Sequence, residues 1–403
     1  LGGPHVSGGV SSEKLDRSGK GSGRGVRQRR ELEELVDILV SGDGELAIFR
    51  VLEAIEQGAT WPLLIDADDP DSEMFLSEAV LSEMPLPARH LIDLASYHYE
   101  IEGRPSTNLI SELGCPYACN FCGMRNSPSF RRVRARTPES VCRELVHLYE
   151  VYGLTGFMLS DDELNIPSSF SALMQQIIHA QHVVSQSFRL RGFIKSNLFT
   201  EEQARLMFEA GFRRLLIGFE SGSDRVLANI NKKATRDQNT RCMEIAHKYG
   251  LKVKALMSIG HPGESEETIR ETKDWLLETQ PQDLDVTLIS VYPATPYADL
   301  SRPHASIPGA WTFTAQKTQD QLHFYDVDFL TSESYYKGIP GEYRSYVFSN
   351  FLSCEQLVEL RDGLEQEVRH RLGIPFYPVN PGARFEASMG QVATHVLRSS
   401  HRA

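Results

Sequence analysis

The chain has 403 residues, an apolar share of 41% and a net charge of −12, with a mean hydropathy of −0.31. It is long enough to bury a large core, and it holds no run of about 18 apolar residues that could cross a membrane. The acidic balance argues against a surface built to wrap nucleic acid.

The charge is uneven. Residues 1–30 carry seven basic side chains and two acidic ones, a net +5, which leaves −17 for the rest of the chain. The opening "LGGPHVSGG" has no initiator methionine and no signal peptide. An apolar residue before Gly-Gly-Pro reads as the end of a buried strand turning into a loop, so the sequence is expected to begin inside a domain. Residues 7–30, rich in Gly, Ser, Lys and Arg, read as a flexible basic insert. A nucleic-acid patch is the alternative there, and the lack of aromatic residues argues against it. A strand near Val36–Val40, a Gly-Asp-Gly turn and an amphipathic helix then complete an α/β unit over residues 1–60. Residues 61–105 read as a linker in which Pro85 and Pro87 prevent a continuous helix.

From Ser106 the pattern becomes regular. Apolar, β-prone runs ("TNLISEL", "GFMLSD", "FRLRGFI", "RRLLIGFE", "KVKALMSIG", "DVTLISVYP") alternate with helical periodicity, as in a parallel sheet of βα units. One helix is announced by Thr137 as N-cap and Pro138 at its first position; another starts near Ser265. Six βα units fit where a complete barrel needs eight, so residues 106–300 are expected to form a partial (β/α)6 TIM-like barrel. In such folds the chemistry sits at the C-terminal ends of the strands. A small helical extension over 301–374 follows, its helix closed by Gly373, and then a loosely ordered tail over 375–403.

The first barrel strand runs into "ELGCPYACNFCGMRN", where Cys115, Cys119 and Cys122 stand in C-x3-C-x2-C spacing. Three thiolates can bind three irons of a [4Fe–4S] cluster and leave the fourth iron open to a small ligand. The alternatives are a zinc site completed by Cys142 or His147, a ferredoxin-type cluster, or buried free thiols. Zinc and ferredoxin sites normally need a fourth protein ligand close by. Six cysteines, three of them clustered, point to a reducing cytoplasm rather than a disulfide scaffold.

This motif at the end of the first strand of a (β/α)6 pattern resembles the radical S-adenosylmethionine superfamily. The resemblance implies that the methionyl group of S-adenosylmethionine chelates the open iron. One electron then cleaves the sulfonium to methionine and a 5′-deoxyadenosyl radical. It further implies roles at the other strand ends. Asp161 and Asp162 in "LSDDELN" would accept hydrogen bonds from the methionyl ammonium, with helix capping as the other reading. Lys195 in "GFIKSNL" would lie near the carboxylate, with an exposed lysine as the other reading. Glu220 and Ser221 in "GFESGSD" would face the ribose or methionyl group. Gly260, Pro262 and Gly263 in "SIGHPGESEET" would let backbone approach the adenine, and Pro293 and Pro296 would stiffen the rim.

Within the superfamily, "LGGPHVS" and "VDILVSGDGELAIFRVLEAIEQG" resemble the end of a Rossmann-like cobalamin-binding domain, with Gly2 and Gly3 as its cofactor loop. The implied protein uses a [4Fe–4S] cluster, S-adenosylmethionine and, in its full-length parent, cobalamin. It would take electrons from a donor such as flavodoxin or ferredoxin and act on a small molecule by C-methylation, cyclisation or rearrangement. A methylthiotransferase-like enzyme and a non-catalytic iron–sulfur or cobalamin sensor are the alternatives. The acidic body makes nucleic acid an unlikely partner.

Overall fold

The computed structural model describes residues 1–375, except 20, 22, 59–63, 98, 124, 328–335 and 339–340, together with residues 391–392.

The N-terminal segment is more ordered than its composition suggests. Helix α1 (Pro4–Arg17) and helix α2 (Arg24–Glu33) occupy most of the stretch read as a flexible insert. Two features override the low helix propensity of Gly and Ser. Val6 and Val10, one turn apart, are buried against Leu39. Gly25 lets the helices approach closely: a Cβ there would lie 2.5 Å from Cβ of Ser12. The basic residues are also less free than they look, since Glu13 pairs with Arg17 at 2.6 Å and Arg29 at 2.5 Å.

Strand β1 (Leu39–Gly42) is followed by helix α3 (Gly44–Glu56), as the Gly-Asp-Gly turn requires. Strand β2 (Leu64–Ala67) lies parallel to β1, so the α/β segment extends into the region read as linker. On its other side β1 bonds to Leu1, whose nitrogen donates to Ile38 O and whose oxygen accepts from Val40 N, both at 2.8 Å. Leu1 thus pairs as a strand end before Gly2 and Gly3. Helix α4 (Glu78–Glu83) stops just before Pro85.

The central sheet begins with β3 (Tyr99–Ile101) and β4 (Arg104–Leu109). A small hairpin, β5 (Glu112–Leu113) with β6 (Arg134–Ala135), brackets the cysteine loop and its short helix α5 (Pro128–Arg131). There follow α6 (Pro138–Tyr152), β7 (Gly156–Leu159), α7 (Phe170–Val183), β8 (Arg189–Phe193), α8 (Glu201–Ala210) and β9 (Phe212–Glu220). The unit closes with α9 (Asp224–Asn229), α10 (Arg236–Lys248), β10 (Lys252–Ile259), α11 (Glu266–Thr279) and β11 (Asp283–Leu288). The six strands β4, β7, β8, β9, β10 and β11 pair in that order, all parallel. This open (β/α)6 sheet is the partial barrel expected. Thr137 and Ser265 cap their helices as expected, and Thr200 and Thr235 do so as well, each side-chain oxygen accepting from a backbone N–H, worth about 1 kcal/mol apiece.

The C-terminal extension is not simply helical. After α12 (Pro296–Asp299), strands β12 (Arg302–Pro303), β13 (Ala310–Thr314), β14 (Gln321–Tyr325) and β15 (Val347–Ser349) form a four-stranded antiparallel sheet. The β-aromatic content of "HFYDV" and "YVF" favours strand there. Helix α13 (Cys354–Leu372) then covers the β11 edge, Arg361 Nε donating to Val286 O at 2.7 Å. Strand β16 (Gln391–Val392) pairs with β3; the rest of the tail read as loosely ordered lies outside the described residues.

Candidate cofactor-binding site

The cysteine loop leaves the sheet where β4 ends, beside the ends of β7 to β10. Gly114 opens it at φ +96°, and a Cβ there would stand 2.3 Å from Arg132 O, so only glycine fits. The loop is pinned by backbone bonds: Cys115 N to Phe130 O at 2.7 Å, Asn120 N to Ile230 O at 2.9 Å, and Asn231 Nδ2 to Ala118 O at 2.7 Å. Cys119 is buried, Cys115 and Cys122 are half-buried, and all three are unbridged. Burial pushes the Cys115 thiol up to about 11. The charge of Lys195 acts on that thiol in the opposite sense.

Among the described residues no three His, Cys, Asp or Glu side chains are gathered closely enough for one metal ion. A single zinc would require that; a cluster, with one iron per thiolate, does not. The zinc alternatives Cys142 and His147 line a groove of about 610 Å³ between α6 and α7 with His179 and Val183. Three soft cysteine ligands, two of them near buried lysines, on a loop pinned by hydrogen bonds, fit an iron–sulfur cluster.

The acidic run after β7 divides its work. Asp161 is consumed by structure: its carboxylate accepts from Ser111 N at 2.6 Å, Glu112 N at 3.1 Å and the Ser111 hydroxyl. Burial still pushes it up to about 6. Asp162 Oδ2 accepts from Gly114 N at 2.7 Å, so it anchors the entry to the cysteine loop. The carboxylate facing the basic groups is Glu163. Burial raises its pKa, and Lys232 and Lys195 oppose the rise. Sequence reasoning passed over it, although its place two residues beyond Asp161 in an acidic strand-end run was the available signal. Glu112 was also missed: burial and the adjacent Asp161 push it to about 9, and its Oε2 is buried without a hydrogen-bond partner.

Lys195 is 2% exposed, with Nζ 4.0 Å from the Tyr117 ring centroid and 3.2 Å from Lys232 O. The exposed-lysine alternative is thereby overturned. Glu220 sits at φ +66°, after an irregularity in the β9–β10 register that re-aims its side chain. Its Oε1 accepts from Lys232 Nζ at 3.0 Å and its Oε2 from Ser258 Oγ at 2.7 Å. Ser258 Oγ lies 2.7 Å from His261 Nε2, and His261 Nδ1 lies 3.1 Å from the Tyr297 hydroxyl. The phenyl ring of Phe121, from the cysteine loop, packs 5.5 Å from His261. A polar chain therefore joins β9, β10 and the rim, and the Phe121 ring packs the cysteine loop against it. Lys232, Ser258, His261 and Tyr297 were not foreseen.

The other expected residues make contacts within the protein. Ser221 Oγ accepts from Ser223 N at 3.1 Å and lies 3.1 Å from Thr272 Oγ1, which uses the hydroxyl to hold a turn. Gly260 and Gly263 are tight against protein: Cβ atoms there would meet Val347 at 2.8 Å and Asp320 at 2.6 Å. Pro262 contributes its carbonyl to Asn229 Nδ2 at 2.7 Å. These positions accommodate the C-terminal extension. Gly2 and Gly3 precede α1, Gly3 as its N-cap, and α1 meets the cysteine loop at Gly8, where a Cβ would stand 3.7 Å from Gly123 O.

Residues 110–276 match the Radical SAM superfamily. An uncharacterized methyltransferase of Pyrococcus horikoshii is 26% identical over 64% of this chain and 57% of its own length. The anaerobic magnesium-protoporphyrin IX monomethyl ester cyclase of Synechocystis is 24% identical over 54% of this chain and 44% of its own. The chain thus spans about half the length of these curated relatives. A solved structure of the radical S-adenosylmethionine methyltransferase TsrM from Kitasatospora setae, with cobalamin and a [4Fe-4S] cluster bound, aligns at TM-score 0.48 and 22% identity over 56% of this chain and 44% of that one. The matched span, residues 110–276, holds the cysteine loop and four of the six parallel strands, β7 to β10.

Proposed function

We propose that the protein is a radical S-adenosylmethionine enzyme in which Cys115, Cys119 and Cys122 hold a [4Fe–4S] cluster. The observation that carries this reading is the seating of Cys115 and Cys119 beside the buried charged groups Glu163, Lys195 and Lys232 at the strand ends. When bound, the cluster supplies one electron for cleavage of the S-adenosylmethionine sulfonium. The protein's own residues bind, orient and exclude water. Glu163 would accept from the methionyl ammonium, while Lys195 offsets negative charge at the carboxylate. Glu220, fixed by Lys232 and Ser258, forms the opposite wall. No side-chain acid or base is required, because the radical abstracts the hydrogen.

The full protein is read as cobalamin-dependent, acting on a small molecule by C-methylation, cyclisation or rearrangement. Support comes from the Leu1–Gly3 strand end before α1, the parallel β1–β2 pair, and relatives named as a methyltransferase and a cyclase. Anaerobic reconstitution tests the central claim. About four irons and four sulfides per chain are expected, with an electron paramagnetic resonance (EPR) signal that changes on adding S-adenosylmethionine and with release of 5′-deoxyadenosine. A Cys119→Ala protein that still holds a full complement of iron overturns it.

A further inference from the structure

The N-terminal α/β segment grips the cysteine loop at one buried residue. Asp68 follows the last residue of β2 and is 0% exposed. Its Oδ1 accepts from Ser127 Oγ at 2.7 Å, from Ser129 N at 2.9 Å and from the Ser129 hydroxyl. Its Oδ2 is buried with no hydrogen-bond partner among the described residues. Ser127 caps α5 by accepting from Phe130 N at 3.3 Å, and the Phe130 carbonyl accepts from Cys115 N at 2.7 Å. Arg131, at the end of the same turn, donates to Tyr117 O. Asp68 therefore holds the turn on which the first cysteine rests.

A buried carboxylate is a poor source of stability, since desolvation cancels most of what its bonds return. What it supplies is direction. One oxygen receiving three donors fixes the rotation of the turn that carries Phe130 and Arg131. We propose that Asp68 is a positioning residue for the cluster, coupling the β1–β2 segment to the geometry of Cys115. The inference rests on the cluster reading above, but its first readout does not need the cluster.

The test compares wild type, Asp68→Ala, Asp68→Asn and a control, Glu73→Gln, whose side chain is 91% exposed. In the cluster-free protein, amide exchange over residues 113–117 and 127–131 should accelerate about tenfold or more in Asp68→Ala. It should be partly restored in Asp68→Asn and unchanged in Glu73→Gln. After reconstitution, the reduced cluster of Asp68→Ala should show an altered EPR spectrum at matched iron content, with Asp68→Asn nearer to wild type. Should Asp68→Ala fail to fold, Ser129→Ala removes only the loop's end of the contact and should give the same acceleration. Unchanged exchange, or a wild-type spectrum with wild-type cleavage of S-adenosylmethionine in Asp68→Ala, overturns the proposal. If wild type takes up no cluster while the exchange effect is present, the functional reading falls and the coupling of segment to loop stands.

Discussion

Glu220 and Lys232 form a buried ion pair, Oε1 to Nζ 3.0 Å, at the mouth of the half-barrel. Burial works against the charge of Lys232, yet Glu220, then Cys119 and Glu163, hold its pKa above the ordinary lysine range. Removing one partner strands the other without solvent, which typically costs about 3–5 kcal/mol. Lys232→Met should therefore destabilise the protein by about that much in urea denaturation. The double variant with Glu220→Gln should recover a large part of the loss. Equal destabilisation in the single and double variants would show that the pair is not coupled.

Gly114→Ala should leave the core folded but prevent a full complement of iron. Its φ of +96° and the 2.3 Å approach to Arg132 O leave no room for a Cβ. The cost of about 1–3 kcal/mol falls on the loop rather than the core. Iron analysis after reconstitution, alongside circular dichroism, separates these outcomes.

The parts of the fold that were legible were those set by local pattern. Six strands rich in Val, Ile, Leu and Phe, and helices opened by Thr137 and Ser265, announce themselves because propensity and burial agree. Helices α1 and α2 were not legible: Gly and Ser there serve close packing, and only the tertiary contact of Val6 and Val10 with Leu39 reveals it. The cysteine loop at the end of β4 was legible because its C-x3-C-x2-C spacing stands out in the sequence. Asp161 and Asp162 were read as ligand groups because a carboxylate bonding to Ser111 N or Gly114 N looks no different, in sequence, from one waiting for an ammonium. At Gly260 and Gly263 a close approach was legible, whereas the neighbours Val347 and Asp320 of the C-terminal extension were not.

His261 predicts a pH dependence. Burial lowers its pKa to about 4, with Glu220 opposing and Lys232 reinforcing the shift, while its ring nitrogens face Ser258 and Tyr297. The adjacent Glu264 carboxylate is turned to Gly260 N and Thr268. A base with a depressed folded-state pKa binds its proton more readily when unfolded. Stability is thus lost as pH falls from the unfolded value near 6.5 toward about 4. Between pH 7 and pH 5, wild type should lose roughly 2 kcal/mol relative to His261→Gln. Parallel stability curves for the two proteins across this range would refute the assignment.

Glu163 offers a way to separate ligand contacts from scaffold contacts within one acidic run. Its carboxylate is buried beside Lys195 and Lys232, whereas those of Asp161 and Asp162 are occupied by backbone donors of the loop. A hydrogen bond to a charged group contributes about 1.5–3 kcal/mol, or roughly a tenfold to 150-fold change in affinity. Glu163→Gln should therefore take up a full cluster but need at least about tenfold more S-adenosylmethionine to shift its EPR signal. Asp162→Asn should do the reverse: it loosens Gly114, lowers iron retention, and leaves the affinity of the molecules that do hold a cluster near wild type. Titrating both variants with S-adenosylmethionine at matched iron content decides the matter. If Asp162→Asn weakens S-adenosylmethionine binding while Glu163→Gln does not, the ammonium contact belongs to Asp162, and Glu163 serves only to balance the two lysines.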